Sequence, residues 1–162
     1  MKINASIATS IKYGINKDLL FSASQILDFV NKAAPHLKTL FSLPKKLDVV
    51  IRPIRAGKVT KIHGRYIPDS KKIEINPRYG FSTAITTFMH ELVHAEQFHL
   101  GALQFDYCKR EFIWKGVLTD NVKANKDFEK YLNLPWEQEA FARQNELAVA
   151  ICNLTKINPP KF

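Results

Sequence analysis

A chain of 162 residues, 46% apolar and 24% charged, fits one globular domain able to bury its own core. No apolar run reaches transmembrane length, and no apolar segment with a cleavage site follows Lys2, which excludes a spanning helix and argues against export by a signal peptide. The net charge of +9 is uneven: residues 1–80 hold 15 Lys/Arg against 5 Asp/Glu, and residues 81–162 hold 9 against 10.

Residues 1–16 are weakly patterned and read as a loose arm or an edge strand. Lys17–Ala34 carries Leu19, Leu20, Ile26, Leu27 and Val30 near helical spacing, and Pro35 stops it. Leu47–Ile54 is rich in β-branched residues and predicts a strand. Lys61–Ile67 and Lys71–Ile75 flank Pro68-Asp69-Ser70, which predicts a hairpin. A long helix is expected over Ser82–Leu100, with Ser82 or Thr83 as its N-cap and Gly101 as its terminator. Leu103–Tyr107 and Glu111–Trp114 read as short extended pieces, and Asp120–Lys130 as a loop or short helix. Pro135–Leu154 predicts a second strong helix, because Pro135 suits its first turn. The tail, 155–162, cannot be helical at Pro159 and Pro160. Cys108 and Cys152 form no metal-type pair and read as two free thiols.

The long central helix contains His90-Glu91-Leu92-Val93-His94. Histidines four apart sit one turn above each other, so both imidazoles reach one ion. A glutamate between them is the residue type that takes a proton from a zinc-activated water. On a helical wheel Ile85, Phe88, Met89, Leu92, Val93 and Leu100 fall on one side. Thr83, Thr86, Thr87, His90, His94 and Gln97 fall on the other, so the histidines are expected to face a cleft. His99 lies on the apolar side and reads as a packed or helix-end residue. His36 and His63 read as surface or packing histidines.

A catalytic zinc takes three protein ligands and leaves a position open. Gln97 and Leu100 stand where the HExxHxxGxxH pattern has its glycine and third histidine, so the third ligand must come from elsewhere. On the second helix Ala140, Gln144, Leu147, Ala148, Ile151 and Leu154 form an inward stripe, with Glu137 beside it. A carboxylate there is costly unless it is paired or binds a cation. Glu137 is therefore the expected ligand, with Glu139, turned the other way beside Arg143, in reserve. Tyr131 or Tyr107 is a candidate donor to an oxyanion, against a packing role for each.

HELVH on one amphipathic helix, followed by Glu137-Gln138-Glu139-Ala140 on another, resembles the zincin metallopeptidases of gluzincin type. The layout of residues 45–155 is similar to the compact SprT-like and IrrE/ImmA-like proteins of bacteria and phages. The resemblance implies a single α+β, zincin-like domain over 1–162. In it a small, mostly antiparallel sheet packs against the HExxH helix and a C-terminal helix bearing the glutamate. It also implies one Zn²⁺ per chain on His90, His94 and Glu137, with Glu91 as the general base of peptide hydrolysis. Phe141 departs from the pattern: it stands where many gluzincins have Asp or Asn, the usual acceptor for a ligand histidine. The expected partner is a peptide or protein substrate, without a membrane, in the cytoplasm or in a phage particle. Two rival readings stand beside this one. The basic first half is a nucleic-acid-binding surface, alone or in a protease acting on DNA-bound proteins, or the chain is a silent zincin-fold adaptor.

Overall fold

Alternation along an inner strand of the main sheet sets the architecture. In Lys46–Ile51 (β2), Leu47, Val49 and Ile51 point into the core while Lys46, Asp48 and Val50 point out. The computed structural model describes residues 1–8, 17–55, 61–119 and 127–160. The rest of the expected arm (9–16) and residues 120–126 lie outside the described residues. Lys2–Ile7 (β1) is an edge strand and pairs parallel with β2, reached through the helices Lys17–Ala33 (α1) and Leu37–Leu40 (α2). Gly64–Ile67 (β3) and Lys72–Ile75 (β4) form the expected antiparallel hairpin, and β4 pairs parallel with β2. The sheet order is β1-β2-β4-β3.

The class is α+β, as expected, with one refinement. Three of the five strand pairings are antiparallel, but two of the three in the main sheet are parallel. For β1 and β2 the cause is the crossover through α1, and for β2 and β4 it is the connection over 52–71, which runs through β3; each returns the chain in the same direction. A second, smaller sheet holds Leu103–Asp106 (β5), Glu111–Trp114 (β6) and Val117–Thr119 (β7). The sequence reading missed β7. Its signal is the two-residue connection Lys115-Gly116, where φ is positive at both positions (47° and 85°), as a type I′ hairpin turn requires.

Phe81–His99 (α3) is the central helix, buried from Ala84 to Gln97 except at Thr86. Its apolar side packs on the sheet and α1, where Phe29 meets Phe81 and Phe88 edge-on at 5.9 and 6.2 Å. Its histidine side, expected to face a cleft, is buried under Pro135–Thr155 (α5), and Glu91 and His94 line a cavity beside it. Phe128–Leu132 (α4) precedes α5. The expected Ser82 or Thr83 cap is replaced by Gly80, with φ 83° and no side-chain cap. The chain leaves the turn Pro77–Tyr79 in a left-handed step, which favours glycine. Gly101 ends the helix as expected, at φ 72° with its N–H donating to the Phe98 carbonyl. Leu154, assigned to the inward stripe of α5, is exposed near the helix end. Both cysteines are free thiols. No described helix is long and apolar enough to cross a membrane.

Gly64 fixes how closely β3 approaches α3. A Cβ there would sit 2.5 Å from Thr87 Cγ2 and 2.9 Å from the Glu74 carbonyl oxygen. One of these contacts is backbone and cannot rotate away. Gly64→Ala is expected to lose about 1–3 kcal/mol of stability, read as a lower midpoint in thermal or denaturant unfolding. An unchanged midpoint would show that β3 has slack the packing does not indicate.

Candidate metal centre

His90 and His94 lie one turn apart on α3, and their Nε2 atoms are 3.0 Å from each other. Glu137, in the first turn of α5 and only 4% exposed, completes the group. Its Oε2 is 3.2 Å from His90 Nε2, and its Oε1 is 3.4 Å from His94 Nε2. These are the residues expected to converge, and among the described residues they form the one group of three able to hold a metal ion.

The outer ring nitrogens explain why the inner ones converge. Gln97 donates its amide N–H to the Trp136 carbonyl at 3.1 Å, so its oxygen must face His94 Nδ1, 2.9 Å away. His90 Nδ1 meets Gln144 Oε1 at 3.1 Å. Each Nδ1 is thus placed to donate to a glutamine oxygen, so a neutral imidazole turns an Nε2 lone pair inward and a protonated one turns an Nε2–H toward Glu137. Two lone pairs and a carboxylate facing one another repel unless something positive sits among them. A tetrahedral ion held at about 2.0–2.1 Å from N and O donors spaces its ligands roughly 3.3 Å apart, close to the separations seen. The donor set fits a metal ion.

Gln97 and Gln144 were missed in the sequence reading. Gln97 follows His94 by three residues and shares its helix face, while Gln144 follows Glu137 by seven on α5 and reaches across to His90. Together they supply the acceptors that Phe141 does not. The Phe141 ring instead packs on the His90 ring at 4.7 Å between centroids. Gln97 also joins α3 to the first turn of α5, so one side chain sets both an imidazole's orientation and the spacing between helices.

Burial opposes ionisation of Glu137, but hydrogen bonds and charge from His90 and His94 outweigh it and hold its pKa at about 2. Burial likewise opposes a charge on His94, yet the Glu137 carboxylate raises its pKa to about 9, with Glu91 and Gln97 adding to the effect. In the metal-free site a proton on His94 thus does part of a cation's work. Glu91 is buried beside the group, and burial pushes its pKa up against the partial offset of His94 and His90. The backbone N–H of Tyr66 on β3 donates to its carboxylate. Tyr131 hydrogen-bonds Glu137, and burial together with that carboxylate keeps its hydroxyl protonated.

The other candidates lie apart. Glu139 pairs with Arg143 at 3.4 Å, and Arg143 also reaches Glu96 at 2.7 Å, so Glu139 belongs to an ion-pair cluster. Tyr107 is exposed and bonds Asp69. His63 packs on Tyr79, His36 precedes α2, and His99 is exposed at the end of α3. No protein-family model matches the chain, and comparisons with curated proteins and with solved structures return no match.

Metal uptake must displace the His94 proton below about pH 9. Affinity for a divalent ion is therefore expected to rise with pH, about tenfold per unit, and to level off above that point. Calorimetry in buffers of different ionisation heat would count the proton released; an affinity flat from pH 6.5 to 9 would contradict this charge state. Gln97→Leu is expected to weaken metal binding about 10–100-fold.

Proposed function

We propose that the chain is a zinc-dependent metallopeptidase of gluzincin type, with Zn²⁺ on His90, His94 and Glu137. The observation that carries this reading is the convergence of three buried donors beside a fourth group, Glu91, with His94, Glu137 and Glu91 lining one cavity. Metal binding alone does not require Glu91. When bound, zinc supplies Lewis acidity and brings a water's pKa towards about 7.

The remaining roles fall to residues of the chain. Glu91 accepts the water's proton as the C–O bond forms, then delivers it to the nitrogen as the C–N bond breaks. Its elevated pKa suits both steps, and the Tyr66 N–H holds its carboxylate in place. Tyr131, kept neutral next to Glu137, turns its one hydroxyl hydrogen from that carboxylate to the developing oxyanion. The substrate backbone lies along β3, the edge strand of the main sheet on the side of Glu91. Asn76 N–H donates to the His63 carbonyl at 2.7 Å, so alternation leaves the backbone polar groups of Gly64 and the Tyr66 carbonyl on the outer edge, while the Tyr66 N–H serves Glu91.

Part of the positive charge of the first half is held in ion pairs on the main sheet. On the outer sheet face Arg52, Arg65 and Lys72 converge on buried Glu74 at 3.5, 2.7 and 3.6 Å. Lys46 pairs with Asp48 at 3.5 Å. Four basic side chains of the first half thus share two carboxylates, and a positive excess stays on this face.

Elemental analysis is expected to find about one zinc per chain, lost in His94→Ala and Glu137→Ala and kept in Glu139→Ala. Glu91→Gln should keep its metal while peptide hydrolysis falls by about 10²–10⁴-fold. Zinc retained without Glu137, or full hydrolysis without Glu91, would sink the assignment.

A further inference from the structure

The cavity beside the metal ligands has a volume of about 750 Å³, larger than a water site requires. From Glu91, His94 and Glu137 it follows α3 to Phe98, one turn beyond His94. Its walls there are Tyr66, Leu103, Phe112, Tyr131 and Trp136. This aromatic stretch belongs to a hydrophobic cluster separate from the main core, in which Leu103 and Trp136 are buried and Phe98, Phe112 and Tyr131 pack against them. Its rings are braced: Tyr66 meets Phe98 at 5.8 Å and Phe112 meets Trp136 at 5.1 Å. A braced apolar wall binds without the cost of ordering itself.

Of the charged groups on the rim, Arg65 is paired with Glu74 outside the cavity, Asp69 is bonded to Tyr107 across it, and Lys71 stands beside them. The Asp69–Tyr107 bond links the β3–β4 turn to the β5–β6 turn, and both residues line the cavity, so it ties the two rims together. The interior offers apolar surface in place of charge, and the strand expected to hold the substrate backbone, β3, contributes Tyr66 to it.

We propose that this aromatic trough selects the substrate, taking one large apolar side chain (Phe, Tyr, Leu or Met) from a residue adjoining the bond that is cut. Phe98 and Phe112 are the specificity-determining residues. The proposal rests on the peptidase reading of the site. It narrows the substrate to extended segments carrying large apolar residues, such as those that unfolded proteins expose.

The test uses the full zinc-loaded chain. A protein digest mapped by mass spectrometry is expected to show large apolar residues enriched at one position beside the cut. Peptides differing only by Phe or Ala there should differ about 10–200-fold in kcat/KM. Phe112→Ala should bring that ratio towards one, and Phe112→Trp, which fills the trough, should reverse it in favour of Ala. Metal content and melting curves identify any variant that fails to fold. Tryptophan fluorescence of Glu91→Gln protein, titrated with the same peptides, reads binding without cleavage. Cleavage with no side-chain preference, unchanged by either Phe112 variant, overturns the trough and leaves the peptidase reading standing. Preferential binding of the Phe peptide without cleavage by wild type supports the trough and removes the peptidase reading. Equal binding of both peptides overturns the trough.

Discussion

Two imidazole lone pairs and a carboxylate are held face to face inside the protein, and that electrostatic conflict governs the rest of the structure. It persists because both outer nitrogens are committed to glutamine oxygens, so neither ring can relieve the repulsion by swapping its hydrogen inward. A proton on His94 relieves it in part; a divalent ion relieves it fully and adds bonds from α3 to α5. Metal bound at this position therefore stabilises the packing of the two helices, because it favours the folded chain over the unfolded one.

The burial of α3 follows from the same demand. A site holding Glu91, His90, His94 and Glu137 at less than a tenth exposure needs covers on several sides. The sheet and α1 cover one side, α5 another, and β3 closes over Glu91 where Gly64 permits contact. Such enclosure strengthens each electrostatic interaction inside and raises the cost of any group left unpaired. Among the described residues no buried side-chain polar atom lacks a partner, so the enclosure is matched by hydrogen bonding throughout.

Local signals made much of this legible from the sequence. The i, i+4 histidines, the proline at the start of α5, the glycine after α3 and the 64–75 hairpin each depend on a few adjacent residues, and each lies where those residues indicate. Glu137 was legible because a carboxylate beside an apolar stripe demands a counter-charge. Features set by distant parts of the chain were not legible. The parallel pairing of β1 with β2 depends on the path through α1, and the burial of the histidine face depends on α5 lying over it. Gln97 and Gln144 look like ordinary polar helix residues until the facing helix is in place. Gly80 displaced the expected serine or threonine cap because the preceding turn, anchored by Asn76, decides the angle of entry into α3.

The two hydrophobic clusters divide the work of the molecule. The main core, around Phe29, Phe88 and the inner faces of β2 and β4, holds α3 in place and hence both histidines. The second cluster, around Leu103 and Trp136, fastens the small sheet beside the same helix and supplies an apolar wall. Trp136 and Glu137 are adjacent in the chain, so one turn of α5 joins that wall to the ligand set. A shift of this turn would move the third ligand and the wall together. The Gln97 bond to the Trp136 carbonyl opposes such a shift, and through its oxygen the same side chain orients His94. Placement of the ligands and the shape of the adjoining surface are thus coupled through one buried amide.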